Sequence, residues 1–389
     1  MNKIYLYLIS YAFLLISQSC HETKNESNEN KIIRLSDLRP CNLSEIASNA
    51  KVVSPKWPDT ILISGITKIK QLNNKLAMIL NGNHGTGVGI YGLDDNKLNL
   101  FFNRGNGPGQ YPAMNDIAFS DNYFYVLCRT AHAIFVYDHS FNYVKTIAFP
   151  GLFVSAICLM DEYLYMYSGN EINEWNSKLH ILDSKTEKFI GHYFKNKTSR
   201  RFINIHENIN FQKFDNKIIF RHAFNDTIYT IDRDKTINVR HWVDFGASGI
   251  NNDVWNKEFS DVYTFRMYLR NTDYSYFVMN YYEGNIHEVF NYQRYDNYPV
   301  VIVNKNTGVI KSISRLYDDV YSMKYYEKEE LLELFTKKIL FEDDKLLLIG
   351  WPQDVEYEKF SSNYVGNESN ARSFYKKNNP CFIIYDLLN

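Results

Sequence analysis

The sequence predicts an all-β fold, a six-bladed β-propeller of four-stranded antiparallel blades. Three observations carry this. Short apolar and aromatic runs recur about every ten residues, with turn residues between them. The runs group in fours, and the four-run unit itself repeats. Aromatic residues make up 16 % of the 389-residue chain, with 31 Tyr and 26 Phe, and such rings suit the half-buried surface of a strand.

Residues 115–149 show the unit. Asp116 to Phe119 reads as a strand, and Ser-Asp-Asn turns the chain. Tyr123 to Cys128 (YFYVLC), Ala133 to Tyr137 (AIFVY) and Phe141 to Phe149 (FNYVKTIAF) follow, each bounded by polar turns. The unit recurs in 65–102 as ITKIKQ, KLAMIL, VGIYGL and KLNLFF. It recurs in 153–194 as FVSAICLM, YLYMYS, KLHILD and KFIGHYF, and in 208–245 as NINFQKF, KIIFRH, TIYTID and TINVRHWVDF. In 275–316 it reads YSYFVMNYY, HEVFNYQ, PVVIVN and GVIKSISRL. A broken last unit has LLLIGW at 346–351 and CFIIYDLL at 381–388.

A four-stranded meander cannot bury its own faces, so neighbours must stack. A radial stack leaves only short, protected edges. Six blades are preferred over five or seven, or over two stacked sheets. About 60 residues fall to each blade, against roughly 40–45 in tight propeller repeats, so insertions are expected at 246–273, 317–339 and 352–379. Within the second, Glu327 to Lys338 (EKEELLELFTKK) has helical period, with Leu331, Leu334 and Phe335 on one face. This predicts a short helical insertion before the last blade. The isolated run Lys31 to Leu35 (KIIRL) is the candidate to complete the last blade and close the ring.

Residues 1–19 read as a signal peptide. Lys3 is followed by an apolar stretch, Ile4 to Ile16, shorter than the roughly 20 residues of a spanning helix. Ser17-Gln18-Ser19 and Cys20 come next. Small residues before a cysteine resemble the lipobox of bacterial lipoproteins, with Ser17 where Leu is usual and Ile16 one position earlier. The resemblance makes Cys20 the lipidation site and implies a membrane partner, since two or more acyl chains anchor stably. His21 to Asn30 (HETKNESNEN) has no apolar residue and reads as a flexible tether, residues 20–30. The propeller then spans 31–389. His21 after the cysteine points to the outer membrane. Periplasmic and surface-exposed placements stay open.

Three further stretches carry a family resemblance. Arg104 to Tyr111 (RGNGPGQY) resembles a glycine-rich GxGPGEY connection, with Gln110 in place of Glu. Asn225 to Gly246 (NDTIYTIDRDKTINVRHWVDFG) is similar to a DTIY…DFG blade, and Asn379 to Leu387 (NPCFIIYDL) to a closing strand. These resemble the six-bladed propeller lipoproteins of Gram-negative gut bacteria, related to NHL-repeat and TolB-like propellers. The resemblance implies the fold and the anchor. It does not imply an activity, because fold does not dictate function.

Formal net charge is −1, which leaves no electrostatic footprint for nucleic acid. Cys41, Cys128, Cys158 and Cys381 follow Cys20. Three lie in apolar runs, so buried thiols are expected rather than disulfides, and no CxxC occurs. The run Gly105 to Gly109 lacks the Lys-Ser/Thr of a phosphate loop and reads as a tight inter-blade turn. Gly85 to Gly89 leads into another strand, against a dinucleotide site. The ten histidines form no HxH or HExxH, and no Gly-x-Ser-x-Gly elbow is present. No cofactor is expected. A structural or catalytic divalent metal in the central channel stays open.

Topology locates candidate ligand-binding residues better than motifs do. In a propeller, the loops between second and third strands share one face with the inter-blade connections. That face should collect His84, Arg104, Arg129, His132, Arg221, His222, Arg294 and Trp351, with Tyr292, Tyr295 and Tyr298 from blade five and Tyr357 and Tyr364 from the last insertion. Arginine forks suit carboxylates, and aromatic faces suit sugar rings and peptide side chains. The expectation is a non-enzymatic envelope module that binds a glycan, a peptide or a partner protein. The alternatives are a metal-dependent hydrolase or lyase of the lactonase or amidating-lyase kind, and a structural subunit of an envelope complex.

Overall fold

The computed structural model describes residues 32–72, 74–196, 210–249, 277–293, 299–317, 319, 340–342, 344–351 and 379–388, with short pieces at 263–264 and 267–268. The expected signal peptide, lipidation site Cys20, tether and helical insertion at 327–338 lie outside these residues.

The chain opens with three short strands, β1 (Ile32–Arg34), β2 (Arg39–Asn42) and β3 (Ala47–Val53). The blades follow. Blade 1 is β4 (Ile63–Leu72), β5 (Lys75–Gly82), β6 (Gly85–Gly92) and β7 (Leu98–Phe101). Blade 2 is β8 (Asp116–Phe119), β9 (Tyr123–Cys128), β10 (Ala133–Asp138) and β11 (Tyr143–Ala148). Blade 3 is β12 (Ala156–Met160), β13 (Tyr163–Tyr167), β14 (Ser177–Asp183) and β15 (Lys188–Lys195). Blade 4 is β16 (Phe211–Phe214), β17 (Lys217–Phe220), β18 (Thr227–Ile231) and β19 (Ile237–Asp244). Blade 5 is β20 (Phe277–Glu283), β21 (His287–Gln293), β22 (Val300–Asn304) and β23 (Ile310–Tyr317). Blade 6 is β24 (Leu340–Glu342), β25 (Lys345–Gly350) and β26 (Cys381–Leu387), with β3 as its fourth strand.

The six-bladed propeller is therefore present, but it closes differently from the expectation. The run at 31–35 does not complete blade 6. Its strand β1 lies parallel to β19, pairing Ile32 with Trp242 and Arg34 with Asp244, as a fifth strand on blade 4. In the same way β2 adds parallel to β23 on blade 5. Closure falls to β3, antiparallel to β26, with Val53 opposite Phe382 and Ala47 opposite Leu387. The N-terminal segment thus straps the rims of blades 4 and 5 before it locks blade 6. Ile33 and Cys41 anchor the strap, each buried at the middle of its strand pairing.

Packing follows from strand alternation. Successive side chains point to opposite faces of a sheet, so each blade offers one apolar face to each neighbour. Among the described residues six apolar clusters result, one at every junction, including Leu347, Ile349 and Phe382 of blade 6 against Ile66, Leu76 and Tyr91 of blade 1. Aromatic rings fill much of this space. At the junction of blades 1 and 2, Phe101 stacks on Phe141 (centroids 4.9 Å apart, 11° between planes) and meets Tyr137 edge-on. Each such pair adds about 0.5–1.5 kcal/mol beyond the area buried. The described cysteines are all buried, and none forms a disulfide.

The glycine-rich connection is a turn, as its composition suggested. Gly109 has φ +70°, a conformation costly for other residues. Its carbonyl accepts Tyr137 Oη–H at 2.8 Å and Asn103 Nδ2–H at 3.0 Å. Gln110 Oε1 accepts the Gly107 N–H at 2.9 Å. A Cβ on Gly105 would sit 2.1 Å from that same oxygen.

Candidate functional site

The innermost strands β4, β8, β12, β16, β20 and β24 line up around the axis and run from one face to the other. The loops β5–β6, β9–β10, β13–β14 and β17–β18 share a face with the inter-blade connections. The hairpin turns that join first to second and third to fourth strands form the opposite face.

On the loop face, blades 2 and 3 bring together two of the sequence-predicted residues. The β9–β10 hairpin carries Arg129 and His132. His132 sits at φ +47° and its N–H donates to Arg129 O at 3.1 Å, which folds both side chains out of one tight turn. The Arg129 N–H donates to Asn115 Oδ1 at 2.8 Å, pinning the turn to the blade 1–blade 2 connection. Between blades 2 and 3 the chain crosses at Gly151–Ser155 and places the ring of Phe153, 40 % exposed, beside both side chains. The His132 ring meets it edge-on at 4.4 Å, and Arg129 Cζ lies 5.8 Å from its centroid. His132 Nδ1 donates to the carbonyl of Leu152 at 3.0 Å, so Nε2 is left as the acceptor of the neutral ring.

Blade 3 completes the cluster. Glu171, in the β13–β14 loop, lies 3.5 Å from Arg129 Nη2. Ile172 beside it is 42 % exposed. Asn196 Nδ2 donates to Glu171 O at 3.1 Å, while its own Oδ1 is buried with no hydrogen-bond partner. An aromatic plate, a guanidinium, a carboxylate and an imidazole therefore share one solvent-facing patch. Sequence reasoning missed Phe153, Glu171 and Ile172. It had placed Phe153 at the start of a strand, whereas β12 begins at Ala156.

The β13–β14 loop is held from below by a buried polar chain. Ser168 Oγ can donate to the carbonyl of Ser177 (3.1 Å) or Lys178 (3.2 Å) and lies 3.0 Å from His180 Nε2. His180 Nδ1 lies 2.8 Å from His192 Nδ1. Ser168 has a single proton: given to a carbonyl, it leaves His180 donating from Nε2 and accepting at Nδ1 from His192, and given to His180 Nε2, it reverses both roles. Trp175, the last aromatic residue of the loop, stacks on His192 at 4.3 Å and 12°. Burial, reinforced by His192, pushes the His180 pKa down to about 3, which keeps the ring neutral.

The other candidates distribute as follows. His84 is exposed at the β5–β6 turn, 5.8 Å from the Phe102 ring. Arg104 is exposed nearby, and its Nε donates to Pro112 O at 3.1 Å. His222 is partly buried, its ring stacked on Tyr229 at 16°. Two candidates face inward. Arg221 is 2 % exposed and donates from Nη1 to Val278 O at 3.3 Å. Tyr292 is 1 % exposed and packs in the core between blades 4 and 5, 5.1 Å from Phe245. Trp351 is partly buried against the core between blades 6 and 1. Arg294, Tyr295, Tyr298, Tyr357 and Tyr364 lie outside the described residues. No group of three or more His, Cys, Asp or Glu with metal-binding geometry occurs among the described residues.

Near the axis sits a different cluster. Asp116 is fully buried, with Lys68 Nζ and Lys70 Nζ each 2.9 Å from its Oδ1. Its carboxylate also accepts the N–H groups of Ile117 and Ile157, both at 2.8 Å. These partners saturate it, and the cluster serves the joining of blades.

Comparison with known proteins agrees with this architecture. A family model described as a domain of unknown function, DUF4934, matches residues 30–386. No curated protein matches the sequence. The crystal structure of a Bacteroides fragilis NCTC 9343 protein that carries the description of an exported protein superposes with a TM-score of 0.66 at 15 % identity, covering 92 % of this chain and 100 % of that one. A member of the DUF4221 family from Bacteroides vulgatus gives 0.51 at 11 % identity, covering 88 % and 98 %. At these identities the likeness is one of fold. The chain belongs to the DUF4934 family.

Proposed function

We propose that this protein is an exported, lipid-anchored envelope protein whose propeller is a binding module, with its ligand seated on the loop face between blades 2 and 3. The observation that carries the reading is the exposed ring of Phe153 between Arg129 and His132. Large apolar side chains left exposed beside an arginine are the usual make-up of a binding hot spot. The ring offers a face to a sugar or an apolar side chain. Arg129 and Glu171 offer charge-assisted hydrogen bonds at its edge. Export is supported by the signal-like residues 1–19 and Cys20, and by the description of the Bacteroides fragilis protein of similar fold.

The test is a thermal-shift screen of residues 31–389 against glycan and peptide panels, with divalent metals plus and minus EDTA. Ligand at a hundredfold excess over Kd stabilises the native state by about 2.7 kcal/mol. A shift with one glycan or peptide class supports the module and identifies its ligand. Turnover of a ligand, or a metal requirement abolished by EDTA, points instead to an enzyme. For the anchor, labelled palmitate should enter the wild-type chain and be absent from Cys20→Ala.

A further inference from the structure

The buried cluster near the axis carries more positive charge than negative. Lys68 and Lys70 stand two apart on β4 and so share one face of the strand. Their ammonium groups meet the same oxygen, Asp116 Oδ1, each at 2.9 Å. The second oxygen of Asp116 accepts the Ile157 N–H. Lys70 directs its other donors to the carbonyls of Ile117 and Ile157. Lys68 has no such outlet. Asp116 is its one partner among the described residues, although its side chain is only 7 % exposed. An ammonium has three N–H donors, so two of them have no acceptor in the protein.

One carboxylate therefore faces two buried ammoniums. Burial lowers the Lys68 pKa to about 8, with Asp116 opposing the fall, so the group is still charged at neutral pH. Lys213, on β16, adds a third positive charge; it is exposed and forms no ion pair among the described residues. Burial pushes the Cys158 thiol up to about 11, while Lys70 and Lys213 pull against it. Cys158 in turn acts on Lys68, so this thiol on β12 is a neighbour common to all three lysines. The Lys70 side chain is 21 % exposed, which lets solvent and small solutes reach the cluster.

We infer that a singly charged anion, a halide or a small carboxylate, binds at Lys68 Nζ with Lys213 on its open side. One negative charge neutralises the buried excess and accepts the unused N–H donors through charge-assisted hydrogen bonds. A buried charge without a partner is unfavourable, so the anion should stabilise the folded chain. The same excess repels a divalent metal from this position. Lys68 and Cys158 are 6 % and 9 % exposed, an enclosure that favours a small ion. The site does not involve Phe153 and is independent of the loop-face reading.

The experiment is thermal unfolding of the purified protein at pH 7 as sodium gluconate, whose anion is large, is replaced by chloride, formate or sulfate. Ionic strength is held constant, so that screening is equal throughout. The melting temperature is expected to rise and saturate with chloride or formate, and the tighter of the two tells a halide site from a carboxylate site. Lys68→Met should abolish the response. In gluconate it should melt no lower than wild type, because Asp116 keeps Lys70 and the excess charge is gone. Lys213→Met, at an exposed position, should raise the half-saturating concentration at least threefold. Exposed Lys185→Met and Phe153→Ala should respond as wild type. Equal melting temperatures in all four salts overturn the inference, as does a response confined to sulfate or one that survives in Lys68→Met. If Lys68→Met does not fold, Lys213→Met decides, and an unchanged half-saturating concentration there overturns the inference.

Discussion

The ammonium group of Lys70 lies 2.9 Å from the carboxylate of Asp116 and also donates to the main-chain carbonyls of Ile117 and Ile157. One side chain of blade 1 therefore grips blade 2 and blade 3 together near the axis. Asp116 returns the grip by accepting the Ile157 N–H. Burial by itself would raise the Asp116 pKa; Lys68, Lys70 and the Ile157 N–H together overcome it and hold the carboxyl below its ordinary range.

Removing the carboxylate should be the costlier change, because it leaves both Lys68 and Lys70 without their partner, whereas Lys70→Met leaves Asp116 paired with Lys68. Asp116→Asn is expected to cost about 3–5 kcal/mol and Lys70→Met less, both read by urea unfolding at pH 7. The sign with pH follows from the depressed carboxyl. The stabilisation is complete above the unfolded Asp value near 3.9 and is lost as pH falls through the lower folded value. Asp116→Asn should flatten that acid limb.

The His180–His192 pair gives a second acid dependence in a higher window. The folded His180 pKa is about 3, against roughly 6.5 in an unfolded chain. The unfolded state therefore binds the proton first, and stability should fall as pH drops from about 6.5 toward 3, by up to about 1.4 kcal/mol per pH unit. His180→Gln removes this slope. Unfolding free energy measured from pH 7 to pH 4 checks it.

Ring closure by β3 makes a graded expectation for N-terminal truncation. Starting the chain at residue 43 removes β1 and β2 but keeps β3. This protein should fold with reduced stability, as Ile33 and Cys41 are lost from their sockets. Starting at residue 54 exposes the core faces of β26 and should give insoluble or molten protein. Val52→Asp, at a fully buried position of β3, should mimic the longer truncation. Far- and near-UV circular dichroism distinguish the cases.

The glycine-rich turn should tolerate little. Gly109→Ala forces an alanine into φ +70° and sets its Cβ 2.8 Å from the Tyr143 ring. About 1–3 kcal/mol is expected from the backbone alone. Tyr137→Phe should lose about 0.5–1.5 kcal/mol with the bond to Gly109 O. Gln110→Glu should be mild, since a carboxylate can still accept the Gly107 N–H. Thermal melts rank the three.

Much of this fold is legible in the sequence because buried strands declare themselves. His287 to Gln293 and the four runs of blade 2 are apolar enough, and spaced regularly enough, to be read directly. The closing strand is not. β3 reads Ala-Ser-Asn-Ala-Lys-Val-Val, and its outermost position leaves one face to solvent. Its polarity hid it, while the more apolar Lys31 to Leu35 drew the assignment. The rim candidates fail by parity. Tyr292 is two residues from Phe290 and four from Glu288 on one strand, so all three share a face, and that face packs on blade 4. Arg221 follows the last residue of β17 and turns inward. Arg129 and His132 were found because a tight hairpin leaves its side chains outside. Phe153 was missed because a partly exposed aromatic residue in a connection looks, in sequence, like the first residue of a strand.

The most direct test of the binding-module reading is one comparison. The panel ligand that raises the melting temperature of residues 31–389 most is titrated by calorimetry into wild type, Phe153→Ala and Arg129→Ala. The expected result is at least tenfold weaker binding in both variants, with melting temperatures of the free proteins unchanged. Wild-type affinity in both variants would contradict a site at Phe153, and conversion of the ligand to product would contradict a non-enzymatic module.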